Sequence, residues 1–332
     1  MRQLVALILL ILLCTSVPFS QTADQDDVIR VETDVTNLPF TAVDKERRFI
    51  TTLRAEDVRV LEDGVPQQLF TFQRETDRPL AIAFLIDVSR SQEFTLADEK
   101  AAARSFIENV FQSSRDLVAI IPFTGLAYVE QELTRDVLSV YKVLQRVEVA
   151  LPAYLGSGRP LSGIPTGPGL LAPPEEGTTA IWDAVALTSS NILEKAPGLR
   201  RRAIILLTDG HDTTSRLGKA EAINGTLAAE AVVYVIGIGN NKYEGVDKSA
   251  LRDLAQRTGG RAFFPDKKFD LMAAFAEIEK ELRTQYLIAY SSTNKRRDGS
   301  YRKITIEITN PDLRKEKLEL RHRPGYFAKP AA

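Results

Sequence analysis

The 332-residue sequence holds a single cysteine, Cys14, and only two histidines, His211 and His322. A lone thiol excludes a disulfide, a thiolate zinc site and a Cys-His nucleophile. Two distant histidines exclude an imidazole cluster for a metal and leave Ser89 without the base of a hydrolytic triad. Neither a Gly-x-Ser-x-Gly elbow nor a Gly-x-x-x-x-Gly-Lys-Ser/Thr phosphate loop occurs. An excess of one charge is missing too: 43 Lys and Arg stand against 44 Asp and Glu, a net charge of -1. That balance gives no reason to expect nucleic acid or an anionic membrane as partner. The longest apolar run, from Leu4 to Leu13, falls well short of the ~20 residues that span a bilayer.

What is present is an ordinary globular composition. The chain is 44% hydrophobic and 26% charged, long enough to bury a sizeable core in one large or two modest domains. Arg2, the apolar run and the polar residues up to Ala23 read as a secretory signal peptide over 1–23, cut near Ser20 or Ala23. The alternatives are an uncleaved anchor and a lipidated Cys14, the latter opposed by Leu13 where a small residue is expected. Removal of the leader yields a thiol-free product in the periplasm, cell envelope or extracellular space, with no membrane insertion of the mature chain.

Three further regions follow. Over 27–76 short strand patterns dominate: Ile29, Val31, Thr33 and Val35 alternate, and Glu62-Asp63-Gly64 signals a hairpin. From 79 to 283 strands and helices alternate, with apolar runs at 80–87, 117–123, 127–132, 203–209, 231–238 and 261–264. Leu96, Ala103, Phe106, Ile107 and Val110 share a helical face, as do Leu271, Phe275, Ile278 and Leu282. Asp247 and Gly259 are placed to begin and end another helix. This alternation predicts an α/β class with a doubly wound, mostly parallel sheet covered on both faces. Over 284–328 the pattern returns to strands at 286–290, 301–308 and 317–321, with Lys295 to Gly299 as a polar hairpin loop. About 48 residues make a poor core alone, so the N- and C-terminal strands are expected to pack together as one β-sandwich.

The chemistry gathers at the ends of the apolar strands. The run Leu80 to Ile86 stops in Asp87-Val88-Ser89-Arg90-Ser91, and Ala203 to Leu207 stops in Thr208-Asp209-Gly210. Gly177-Thr178-Thr179 leads into a helix that starts near Ala180. In an open parallel sheet the loops after the strands converge on one crevice. Asp87, Ser89, Ser91, Thr179 and Asp209 thus offer five hard oxygen donors suited to Mg²⁺. Taken singly, the same residues also serve as helix caps and turn formers. His211 follows the third motif and reads as a solvated loop histidine; Asp212 to Ser215 make a polar loop that would tune ligand choice, and Trp182 reads as core.

These three motifs, in this order, resemble the metal-ion-dependent adhesion site of a von Willebrand factor type A domain, over about 79–280. The resemblance implies Ser89, Ser91 and Thr179 as direct ligands of Mg²⁺, Mn²⁺ or Ca²⁺, with Asp87 and Asp209 acting largely through water. It implies an interaction module, not an enzyme, that captures an Asp or Glu of a protein partner. The alternative is a structural component of an envelope complex that binds through its β-sandwich. The flanks, Leu53 to Gly64 and Arg323-Pro324-Gly325-Tyr326-Phe327, resemble secreted type A-related proteins of acidobacteria. The Pro- and Gly-rich stretch 151–177 feeds into Thr179 and is expected on the metal face, with Glu175 or Glu176 able to occupy the open coordination position.

Overall fold

A computed structural model describes residues 35–74, 78–112, 114–149, 159–160, 178–198, 200–239 and 246–330. The signal-peptide reading, the alternation at 29–33 and most of the 151–177 stretch, with Glu175 and Glu176, lie outside the described residues. The chain first forms β1 (Val35–Val43), β2 (Val58–Glu62), β3 (Val65–Pro66) and β4 (Leu69–Arg74). It then enters the α/β unit through β5 (Leu80–Asp87), α1 (Leu96–Val110), β6 (Leu117–Phe123), β7 (Tyr128–Val129), β8 (Gln131–Thr134) and α2 (Val137–Arg146). The unit continues with β9 (Arg159–Pro160), α3 (Ile181–Thr188), β10 (Arg201–Thr208), α4 (Lys219–Ala228) and β11 (Ala231–Gly237). It closes with α5 (Lys248–Thr258), β12 (Ala262–Phe263) and α6 (Lys268–Thr284). The ending is β13 (Tyr286–Ser291), β14 (Tyr301–Ile308), α7 (Pro311–Lys315), β15 (Glu319–His322) and β16 (Gly325–Phe327).

The central sheet has the order β12-β11-β10-β5-β6-β8, parallel except for the edge pair of β6 with β8. Its middle strands are apolar between their ends because both faces are covered there, and the period-2 alternation of a strand divides their side chains between two cores. On β5, Ala81, Ala83 and Leu85 face α3, α4 and α5, whereas Ile82, Phe84 and Ile86 face α1, α2 and α6. The expected strand at 127–132 is broken in two: β8 stays on the sheet edge, while β7 leaves to pair with β9. Asp247 caps α5 by accepting from the Ala250 amide at 3.0 Å, and Gly259 ends the helix at φ 91°.

The N- and C-terminal strands interleave in two four-stranded sheets, β15-β1-β13-β4 and β16-β14-β2-β3. Between them lie Leu38, Phe40, Val60, Tyr286, Ile288 and Ile304. Asp63 (φ 50°) and Gly64 (φ 83°) supply the two left-handed residues of a tight turn between β2 and β3. A buried carboxylate pins one sheet to the other: Glu62 on β2 accepts from Tyr290 on β13 at 2.9 Å and from Tyr326 on β16 at 3.0 Å. The stretch Lys295 to Gly299, expected as a hairpin loop, instead carries the chain from one sheet to the other, since β13 and β14 do not pair. The buried Arg302 guanidinium donates to the Arg296 carbonyl at 2.8 Å and so ties this loop to β14.

Candidate metal centre

The parallel strands end on one face of the sheet, and hydrogen bonds join the loops that leave them. The Val88 amide donates to the Phe123 carbonyl at 2.9 Å, and the Ala180 amide to the Thr124 carbonyl at 2.7 Å. The Thr179 carbonyl accepts from the Thr213 amide at 2.8 Å, and the Asp209 carbonyl from the Asp247 amide at 2.9 Å. The loops that carry Asp87, Ser89, Ser91, Thr179 and Asp209 are thereby tied into one rim.

Asp87 is fully buried at the last position of β5. One carboxylate oxygen accepts from the Ser89 amide at 2.9 Å and the other from the Thr208 hydroxyl at 2.6 Å. Burial, and then the negative charge of Asp209, push its pKa up to about 6. The Ser89 and Ser91 hydroxyls lie 3.0 Å apart. Asp209 accepts from the His211 amide at 3.1 Å, while Thr179 and Asp209 are both buried. His211 joins this rim through its backbone.

Thr179 is not the helix cap its sequence position invites; Ala180 occupies that place. Asp212 and Ser215 cap the helix from another loop: Asp212 accepts from the Ile181 amide at 2.7 Å and Ser215 from the Trp182 amide at 3.0 Å. Asp183 returns the support by accepting from the Leu217 amide at 2.8 Å. The polar loop after Asp209 is therefore spent on fixing Thr179 against the rim, and the Thr179 hydroxyl remains free of capping duty. Trp182 is core.

Two residues of the centre escaped the motif reading. Thr208 interrupts an apolar strand just before Asp209, and its hydroxyl holds Asp87. Glu99, on the first turn of α1, is 1% exposed, and neither carboxyl oxygen has a hydrogen-bond partner among the described residues. Burial above all pushes its pKa up to about 8, with the charges of Asp87 and Asp209 adding to the rise. The Thr95 hydroxyl opposes that rise but also donates to Gln92 at 2.9 Å. The signal was present in the spacing: Glu99 lies three residues after Leu96 and four before Ala103, on the apolar face of the helix.

Residues 170–279 match the family model of the von Willebrand factor type A domain. That match assigns a von Willebrand factor type A domain to these 110 of the 332 residues. Solved structures similar to it include BatB from Bacteroides thetaiotaomicron, at 20% identity over 61% of this chain and 98% of that one, with a TM-score of 0.45. A von Willebrand factor type A protein from Catenulispora acidiphila is 13% identical over 91% and 75% of the two chains, with a TM-score of 0.48. Proximal thread matrix protein 1 from the mussel byssus, solved with a zinc-occupied adhesion motif, is 17% identical over 67% of this chain and 50% of its own, with a TM-score of 0.49. No curated protein matches the sequence.

The type A domain implies a divalent cation and a role in protein–protein interaction. Whether these residues suit such an ion is decided by donor chemistry. Among the described residues no group of three His, Cys, Asp or Glu side chains is close enough to hold a metal, so an ion here depends on hydroxyl donors. Cis ligands of an octahedral Mg²⁺ at 2.0–2.1 Å stand roughly 2.9 Å apart. The Ser89–Ser91 separation of 3.0 Å matches that edge. The donor set fits.

Proposed function

We propose that this protein is an exported interaction module, not an enzyme, whose type A domain captures an Asp or Glu carboxylate of a protein partner through Mg²⁺ or a related divalent ion. Ser89, Ser91 and Thr179 hold the ion, and Asp87 and Asp209 support it through water. When bound, the cation supplies a hard Lewis acid with a position open to one outside oxygen. The observation that carries this reading is the commitment of both Asp87 oxygens to the Ser89 amide and the Thr208 hydroxyl. Its charge is held behind the rim, and the paired hydroxyls in front are neutral. Neutral donors leave positive charge uncompensated, and that charge selects an anionic ligand.

Two surroundings support the choice. A cavity of about 500 Å³ at the carboxyl end of β11 is lined in part by Lys248, Lys267 and Lys268 against Asp98 and Asp266, and with Lys268 paired to Asp98 at 2.6 Å it offers an acidic partner room and a small positive excess beside the rim. Asp87 and Glu99, at 0% and 1% exposure, are too enclosed to take a proton from a bound substrate, which argues against hydrolysis. The leader pattern of residues 1–23 supports export, with the partner then in the envelope or outside the cell.

The test is a pull-down from envelope extract with Mg²⁺ or with chelator, using the wild type and the double substitution Ser89→Ala, Thr179→Ala. The proposal expects a partner held in Mg²⁺ and lost in both other conditions. A partner retained equally in chelator and by the variant would instead assign binding to the β-sandwich.

A further inference from the structure

At the opposite end of the central sheet, where the strands begin, the β-sandwich closes over a cavity of about 40 Å³. Five arginines line it, Arg78, Arg200, Arg201, Arg202 and Arg323, against one carboxylate among the described lining residues, Glu230. Arg323 is only 7% exposed. It donates to the Asn37 carbonyl at 2.9 Å and lies over the Tyr326 ring at 5.6 Å, yet its buried Nε has no partner among the described residues. Arg202 repeats the pattern: it donates to the Ala229 carbonyl at 2.9 Å and to the Glu194 carbonyl at 3.4 Å, and its buried Nε has no partner among the described residues. Arg200 donates to the Pro197 carbonyl at 2.7 Å and to the Arg115 carbonyl.

Carbonyls orient a guanidinium without neutralising it. None of Arg200, Arg202 and Arg323 makes an ion pair with a described carboxylate, and Glu230 instead accepts from Asn37 at 3.3 Å. Several buried or half-buried positive charges in one seam are costly unless an anion answers them. The fit of the seam is close: a Cβ on Gly259 would come within 2.9 Å of the Arg323 backbone nitrogen. Arg323 is thus fixed in place, and it opens the Arg-Pro-Gly-Tyr-Phe ending that the metal centre leaves unexplained.

We propose that this seam binds one compact tetrahedral oxyanion, phosphate or sulfate, through the free N–H groups of Arg202 and Arg323 with Arg200 beside them. The volume sets the class, since room for roughly three waters admits such an ion and excludes a nucleotide. Guanidinium forks match the oxygen geometry. The occupied seam joins residues of the sandwich, Asn37 and Arg323, to the base of the type A domain.

The test titrates the purified full chain in chelator, at constant ionic strength, with inorganic phosphate, sulfate or acetate, and follows heat of binding and thermal unfolding. Saturable binding of phosphate or sulfate with a rise in Tm is expected. Arg202→Gln and, separately, Arg200→Gln should each weaken it at least about tenfold, while the exposed Lys142→Gln should bind as the wild type does. Circular dichroism verifies that each variant is folded, and Arg200→Gln carries the test if Arg202→Gln is not. Absence of saturable binding, equal affinity in the arginine variants and Lys142→Gln, or binding of acetate alone would overturn the proposal.

Discussion

The two ends of one sheet carry opposite electrostatics. At the carboxyl ends, Asp87 and Glu99 are buried, and the charges that raise both pKa values are other carboxylates. At the amino ends, Arg200, Arg202 and Arg323 crowd a small cavity with Glu230 as the one described acid. Between them β5, β10 and β11 run through Leu85, Ile205 and Val235 with no charge at all. Charge enters where a strand loses its cover of helices on both faces. It stays uncompensated at each end because a ligand of the other sign is the natural counterion: a cation above, an oxyanion below.

If the neutral middle is only scaffold, damage there should cost stability and spare both ends. Phe84 is fully buried and meets Phe106 edge-on at a 5.9 Å centroid distance. Phe84→Ala is expected to lower unfolding free energy by about 3–5 kcal/mol. Denaturant titration measures this, and Mg²⁺ affinity of the folded fraction should not change; a large loss of affinity would show that the middle and the rim are coupled. The acidic end makes the next largest effect. With a folded pKa of about 8 against 4.5 for the free group, the folded chain keeps on Glu99 a proton that the unfolded chain gives up. Stability from this residue is therefore complete below pH 4.5 and falls as pH rises towards 8. Glu99→Gln should remove that fall and add a few kcal/mol, at ~1.4 kcal/mol per unit, at pH 8 in chelator. Parallel pH profiles for variant and wild type would deny the acidic end its strain.

The contrast was only half legible in the sequence. Long apolar runs ending in Asp87 and Asp209 announce buried parallel strands and the place where their loops meet, so the fold class was legible from pattern. Thr208 and Glu99 were not, because a threonine at a strand end and a glutamate between Asp98 and Lys100 look like surface. Only helical spacing marks Glu99 as inward. Asp212 and Ser215 cap a helix some thirty positions earlier, a pairing no local rule reveals. At the amino end, nothing local in Arg200-Arg201-Arg202 points to Arg323, over a hundred residues later, with which they line one cavity.

The rim itself provides the third way to sharpen the comparison. Ser89→Ala removes one of two hydroxyls 3.0 Å apart and should weaken Mg²⁺ binding by about 10–100-fold in calorimetry, with phosphate binding at the far end unchanged. Unaltered Mg²⁺ affinity would remove Ser89 from the metal centre.

The smallest expected effect probes the basic end through backbone alone. Gly259 ends α5 at φ 91°, a conformation that disfavours any side chain by about 1–2 kcal/mol. A methyl group there would also press on the Arg323 backbone nitrogen from 2.9 Å, and backbone yields less readily than a side-chain tip. Gly259→Ala should therefore do two separable things: lower stability by the strain, and displace Arg323 so that phosphate binding weakens while Mg²⁺ binding does not. Loss of stability with phosphate affinity intact would mean that Arg323 is held in the seam by its own carbonyl contact to Asn37 and not by the fit against Gly259.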